Sequence, residues 1–162
     1  MAIIGIVAVD RNGAIGKGGA LPWHYSADMK FFKEQTTGNV CVMGYKTWLT
    51  LKKPLPNRLN VVLSRRTEFE PRASVAWMRD RLSVLSLKDY LKCDLFVIGG
   101  AQVFEMFSDD IERWVVTEVP LAVEGADTFM PAGFLEDFDA TGSRALGDDL
   151  KATFYERRTK RD

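Results

Sequence analysis

Histidine is nearly absent: the 162 residues hold one, His24. A multi-histidine metal site is excluded, and a nucleophile–histidine pair could use only this residue. Cysteine is scarce as well. Cys41 and Cys93 form no close pair and no zinc spacing, so neither a disulfide framework nor a metal centre is expected. Each borders an apolar run, where a reduced buried thiol is the ordinary state, and a cytoplasmic chain is the expectation. Neither sign of charge is in excess. The 22 lysines and arginines equal the 22 aspartates and glutamates, which argues against a nucleic-acid partner but leaves room for local basic patches facing a small anion. No apolar run approaches the roughly 20 residues of a membrane helix. The N-terminus shows neither the basic start nor the cleavage site of a secretory signal. No membrane partner is expected.

What remains reads as one domain over residues 1–162, large enough to bury a core without staples, with a monomer the expected state. Short Val- and Ile-rich runs recur at Ile3 to Val9, Val40 to Met43, Asn60 to Leu63, Val75 to Trp77, Leu95 to Ile98 and Trp114 to Val119. Most lack in/out alternation, as strands covered on both faces do. Between them lie helix-prone stretches. One follows a Ser26 cap to about Thr36, and one covers about Tyr45 to Leu51. A third starts from a capping-box pattern at Ser86 and runs to about Lys92, and a fourth covers about Ala101 to Phe107. The alternation predicts a three-layer α/β fold: a central, mostly parallel sheet flanked by about four helices. Residues 120 to 150, with four glycines and two prolines, read as loops and meandering strands. Ala152 to Arg157 reads as an antiparallel C-terminal edge strand, and the basic end, including Lys160 and Arg161, as a solvated tail.

Five segments could carry chemistry. The glycine-rich stretch Ala14 to Trp23 links a buried strand to a helix. It lacks a dinucleotide fingerprint, but its Leu21-Pro22-Trp23 end is apolar where solvent is expected, as in a lid. Asp28 is either a first-turn acid suited to the helix dipole or a carboxylate walled by Trp23, Phe31 and Phe32. In the second case its pKa rises, and it can bind a cationic or amidine-like group or assist proton transfer. Gly44, Lys46 and Thr47 leave an apolar strand and form a phosphate site or merely a tight turn. Gly99 and Gly100, between a wholly apolar strand and a helix, let backbone approach a diphosphate. Ser64, Arg65 and Arg66 leave another strand; the arginines are either surface charges or readers of a 2′-phosphate.

Taken in order, these segments resemble the dihydrofolate reductase family. The resemblance rests on Ile6 to Val9, Ile15-Gly16, Leu21 to Trp23, Asp28, Phe32, Met43-Gly44, Lys46 to Trp48, Pro54 to Pro56, Arg58, Leu63-Ser64, Ile98 to Gly100 and Thr117, with Glu124 to Thr128 and Phe154 to Glu156 in support. It spans nearly the whole chain, and the ordered set is specific although no single motif is.

The resemblance implies reduction of 7,8-dihydrofolate to tetrahydrofolate with NADPH, and a site that antifolate inhibitors would occupy. Asp28 would pair with the 2-amino and N3 side of the pterin, held by Thr117. Trp23 would bind an ordered water and close the loop. Met29, Phe32, Leu51 and Leu55 would line the substrate pocket, Ile6 and Ile98 would offer backbone carbonyls, and Arg58 would take the glutamate α-carboxylate. Ala8, Ile15 and Gly16 would flank the nicotinamide. Gly44, Lys46, Thr47, Gly99, Gly100, Ala101, Gln102 and Val103 would hold the diphosphate. Ser64, Arg65 and Arg66 would receive the 2′-phosphate. A water is expected to deliver the proton to N5.

Four positions depart from the family pattern: Tyr45 replaces an arginine, Ala101 a third glycine, Gln102 a basic residue and Phe104 a tyrosine. A reductase of another pterin- or flavin-pathway heterocycle, or a non-catalytic NADP-binding protein, is the alternative. The former would not need Arg58 matched to a folate tail, and the latter would not need Asp28 in an apolar pocket.

Overall fold

The computed structural model describes residues 1–18 and 23–159 and has ten strands, the apolar runs among them. They are β1 (Ile3–Val9), β2 (Ala14–Gly16), β3 (Val40–Gly44), β4 (Leu59–Leu63), β5 (Val75–Met78), β6 (Leu95–Gly99), β7 (Arg113–Glu118), β8 (Thr128–Phe129), β9 (Phe138–Gly147) and β10 (Leu150–Arg157). The main sheet has the order β5-β4-β3-β6-β1-β7-β10-β9; β2 and β8 form a separate antiparallel pair. From β5 to β7 every pairing is parallel; β10 is antiparallel to β7, and β9 to β10.

The missing alternation has the expected cause: both faces are covered. Along β3, Val40 and Val42 join one core with Val84, Val103, Phe104 and Phe107 of α3 (Arg81–Leu85) and α4 (Ala101–Met106) and the turn after it. Cys41 and Met43 point the other way, toward Phe31 of α1 (Ser26–Thr36) and Trp48 of α2 (Tyr45–Thr50). Burial pushes the Cys41 thiol up to about 11, so it stays protonated. Gly5 is required by packing, since a Cβ there would lie 2.5 Å from the Trp114 ring.

Three expectations change in detail. Ser26 is not a cap: it is the first residue of α1, and Tyr25 precedes it without a side-chain cap bond. The third helix starts earlier, because Asp80 accepts the Ser83 N–H at 2.8 Å and so caps α3. Ser86 turns its hydroxyl back to the Ser83 carbonyl at 2.6 Å, and residues Ser86–Asp89 continue only as a 3₁₀ turn. The antiparallel C-terminal margin is present, with β9 outermost and β10 one place in. The β9–β10 connection uses Asp148 and Asp149, both at positive φ (53° and 61°), the backbone of a two-residue I′ hairpin turn.

Asp10 ties the start of β2 to the chain after β7. Its carboxylate accepts N–H groups from Asn12, Ala14 and Val123, each at 2.8 Å. Burial alone would raise its pKa, but these three bonds prevail and hold it below the ordinary value.

Candidate active site

Because β1, β3, β4, β6 and β7 run parallel, their carboxyl ends share one margin of the sheet, where α/β folds place ligands. The expected site residues fall into two groups; Gly44, Ser64, Gly99 and Gly100 lie at that margin, whereas Arg58 directly precedes β4, at the amino ends of β3 and β4.

The first group lies under α1 and α2. Ile6, Phe32, Leu51, Leu55 and Ile98 join one apolar cluster with Phe31, Met43 and Trp48. Ala8 and Thr117 are register partners on β1 and β7. Thr117 is buried, and its side chain meets Asp28 of α1. Burial raises the Asp28 pKa above the usual carboxylate value, and the Thr117 hydrogen bond lowers it in part. Met29 does not join the cluster; it is 55% exposed, at the rim.

Trp23 packs with Val119 and Leu150, alongside Ala8. Its Nε1 is buried without a hydrogen bond among the described residues, a donor in search of an acceptor. The expected lid residues Leu21 and Pro22, with Gly19, lie outside the described residues. The segment leading into them is fastened: Gly18 N–H donates to Asp127 Oδ2 at 2.8 Å, and Lys17 Nζ to the Glu124 carbonyl at 2.8 Å. His24 is exposed.

Arg58 is only 6% exposed, which its residue type did not foretell. Nε donates to the Pro56 carbonyl at 2.9 Å and Nη1 to Thr36 Oγ1 at 3.0 Å; Thr36 in turn donates to the Phe32 carbonyl at 2.8 Å. The guanidinium lies 6.0 Å from the Phe32 ring centroid. Nη2 carries no hydrogen bond among the described residues. Arg58 is a fixed cation at the edge of the apolar cluster, beside Phe32.

The second group surrounds the ends of β3, β4 and β6. Met43 and Gly99 are register partners. The peptide between Gly99 and Gly100 is cis, and Gly99 has a φ of 129°, which side-chain-bearing residues rarely adopt. A Cβ on either glycine would lie within 3.9 Å of Thr47 Oγ1, so the α2 hydroxyl faces this glycine pair. A Cβ on Gly44 would come within 3.1 Å of Val103, so the starts of α2 and α4 abut. Ala101 and Gly100 are half-buried, and Lys46 and Gln102 are exposed. Phe104 is buried between Trp114, with ring centroids 5.4 Å apart, and Gly99, where a Cβ would lie 3.5 Å from its ring. Ile15 and Gly16, on β2, are half-buried and buried; Asp127 N–H holds the Gly16 carbonyl at 3.1 Å. Ser64, Arg65 and Arg66 follow β4, with both arginines exposed.

Sequence reasoning missed the anchoring roles of Asp10, Thr36 and Asp127. An acid directly after a strand and three residues before Gly13 is a turn signal that could have found Asp10; a threonine ending a helix carries no comparable mark.

The geometry offers one sheltered carboxylate on α1, a fixed arginine beside Phe32 of the apolar cluster, and a glycine-lined margin with exposed cations beside it. The family model described as dihydrofolate reductase matches residues 2–159. The chain is 35% identical to the dihydrofolate reductase of Haemophilus influenzae over 127 residues, 78% of this chain and 76% of that one. It is 36% identical to that of Staphylococcus aureus strain Mu50 over 141 residues, 85% and 83% of the two chains. A solved dihydrofolate reductase from Enterococcus faecalis, complexed with NADP(H) and RAB-propyl, superposes with a TM-score of 0.88. That match has 28% identity and covers 98% of this chain and 97% of that one.

Proposed function

The chain belongs to the dihydrofolate reductase family and is an NADPH-dependent oxidoreductase that reduces 7,8-dihydrofolate to 5,6,7,8-tetrahydrofolate; we propose that Asp28 is the carboxylate that holds the pterin. The observation that carries this assignment is a half-buried acid, facing Thr117, on the same helix as Phe32, whose ring joins the apolar cluster and lies 6.0 Å from the Arg58 guanidinium. Asp28 accepts hydrogen bonds from the 2-amino and N3 positions of the pterin, and Thr117 keeps the carboxylate turned toward the ring. Phe32, Leu51 and Leu55 enclose the benzoyl region, with Met29 at the rim, while Ile6 and Ile98 offer carbonyls on the opposite edge. Arg58 receives the glutamate α-carboxylate through its free Nη2 edge, a geometry that lysine cannot copy.

The second group fits NADPH. Gly99 and Gly100 place bare backbone opposite the Thr47 hydroxyl, leaving side-chain-free room for a diphosphate. Gly44, Lys46, Ala101, Gln102 and Val103 complete that cradle, and Ala8, Ile15 and Gly16 flank the nicotinamide. Ser64 and an arginine of the pair Arg65 and Arg66 take the 2′-phosphate. When bound, NADPH supplies the hydride that reaches C6. The protein's part is to stack the rings in a dry pocket and to control the N5 proton. Among the residues assigned to the substrate, Asp28 is the only acid, and it serves the far side of the ring. The proton therefore comes from a water, and the unpartnered Trp23 Nε1 is placed to hold an ordered water nearby. The chain works as a cytoplasmic monomer, and antifolate inhibitors occupy the substrate pocket.

The test is a spectrophotometric assay of NADPH oxidation with dihydrofolate, on wild type and Asp28→Asn. Wild type turns over, and the variant loses about 10²–10⁴-fold at neutral pH. Equal rates for the two proteins would remove Asp28 from the mechanism.

A further inference from the structure

Gly44 and Leu63 are register partners, so Tyr45 and Ser64 leave β3 and β4 side by side. Two residues beyond Ser64, the Arg66 guanidinium lies across the Tyr45 ring, 4.4 Å from its centroid. Its Nη1 donates to the Tyr45 hydroxyl at 3.0 Å. Its backbone N–H donates to Ser64 Oγ at 3.1 Å. The support behind Tyr45 is also built: Trp77 of β5 stands 6.1 Å from the Tyr45 ring, and Phe69 stacks on Trp77 at 5.1 Å and 17°. The connection between β4 and β5 is therefore fastened at two points, Arg66 on Tyr45 and Phe69 on Trp77. Arg65, next in sequence, has no hydrogen bond, ion pair or ring contact among the described residues.

Resting on the NADPH site assigned above, we infer that Tyr45 is a positioning residue that presets Arg66, rather than Arg65, to read the 2′-phosphate, and so sets the preference for NADPH over NADH. A free surface arginine loses rotamer freedom when it grips an anion; one already held on a ring loses less. The Tyr45 hydroxyl occupies Nη1 alone. The Nε and Nη2 donors remain as a parallel pair, the edge that matches two oxygens of a phosphate. The Ser64 hydroxyl, next to the Arg66 backbone, can donate to the same group while it accepts the Arg66 N–H. Tyr45 thus shapes specificity without touching the phosphate, through a ring that no aliphatic residue could replace.

The test compares dissociation constants for NADP⁺ and NAD⁺ by calorimetric titration, and the corresponding KM values for NADPH and NADH with dihydrofolate. The proteins are wild type, Arg65→Ala, Arg66→Ala, Tyr45→Phe, Tyr45→Leu and the Tyr45→Leu/Arg66→Ala double variant, each checked for folding by circular dichroism. Arg66→Ala should lower the NADP⁺ over NAD⁺ preference about 10- to 100-fold. Tyr45→Phe, which keeps the ring, should lower it about 2- to 5-fold, and Tyr45→Leu more. In the double variant the preference should match that of Arg66→Ala alone, since Tyr45 acts only through Arg66. A Tyr45→Leu effect that persists without Arg66 would overturn the inference. So would a preference carried by Arg65 and indifferent to Arg66, although the 2′-phosphate site would then stand. If neither arginine moves the preference, the 2′-phosphate assignment itself fails.

Discussion

The two halves of the site handle charge in opposite ways. On the substrate side, Asp28 and Arg58 are withdrawn from water and held by protein: Asp28 faces Thr117, and Arg58 is tied to Pro56 and Thr36. On the cofactor side, Lys46, Arg65 and Arg66 stand in solvent, and Arg66 is the one among them with a ring to rest on. A buried, fixed group discriminates sharply, because a ligand that fails to match it leaves it unpaired in a poor solvent. An exposed cation attracts any anion, at a strength that salt reduces. The substrate half is therefore built to select a shape with two polar ends. On the proposed assignment, the cofactor half holds an anion over neutral backbone, and its selectivity depends on how well one exposed arginine is oriented.

Arg58 gives the larger contrast. Arg58→Lys keeps the charge but loses the fork, and the bonds to Pro56 and Thr36 that aim it. The KM for dihydrofolate should rise about 10- to 100-fold. A dihydropterin without the benzoylglutamate tail should show no such change in kcat/KM, since nothing on it reaches Arg58. A similar loss for both substrates would mean that Arg58 supports the fold of the pocket rather than binding the tail.

A smaller effect separates the halves without mutation. Raising ionic strength from low to about 0.5 M shortens the screening length to a few ångströms. The NADPH KM should then increase several-fold more than the dihydrofolate KM, because Lys46, Arg65 and Arg66 are exposed whereas Arg58 is not. Equal responses would show that the two ends of the site are screened alike, and the contrast drawn from burial would not hold in solution.

The sequence made the central strands legible because each is covered on both faces: Val40 to Met43 and Leu95 to Ile98 fall within one residue of β3 and β6. The glycine pair was legible for a related reason, since it follows such a run and opens a helix, whereas Asp28 stood out by its aromatic neighbours in sequence. β9 was not. Phe138 is its single buried residue, its remaining side chains are half-buried or exposed, and its polar, glycine-bearing pattern looks like loop. Its strand character comes from pairing with β10 across the Asp148–Asp149 turn, a tertiary cause. The burial of Arg58 was hidden likewise: an arginine reads as surface until Thr36, 22 residues earlier, is brought beside it. The roles of Tyr45 and Arg66 lay 21 positions apart, and only the β3–β4 register joins them.

The smallest expected effect sets a ligand-facing carboxylate against a structural one. Asp28 and Asp10 are both withdrawn from water, yet their pKa values move in opposite directions. Asp28 is raised, because burial outweighs its bond to Thr117; Asp10 is lowered, because three backbone N–H groups outweigh burial. At neutral pH both are ionised in the unfolded chain. Folding must keep Asp28 charged where charge is disfavoured, so Asp28 lowers stability above its folded pKa. That penalty shrinks as pH falls through the folded value and vanishes below the unfolded one, about 4. Asp28→Asn should therefore raise the urea midpoint at neutral pH and lose this advantage near about pH 4. Asp10→Ala should do the reverse. It removes stability that is fully present above the ordinary carboxylate value and is lost as pH falls through the folded pKa, so its deficit is largest at neutral pH and narrows in acid. The sign at Asp28 is the informative one. A carboxylate kept for packing or helix capping would stabilise the fold, whereas one that costs stability and is held under an apolar wall is there for the ligand it meets. A lower urea midpoint for Asp28→Asn at neutral pH would show that Thr117 and the start of α1 already satisfy the charge, and the site would lose the sheltered acid on which the pterin assignment rests.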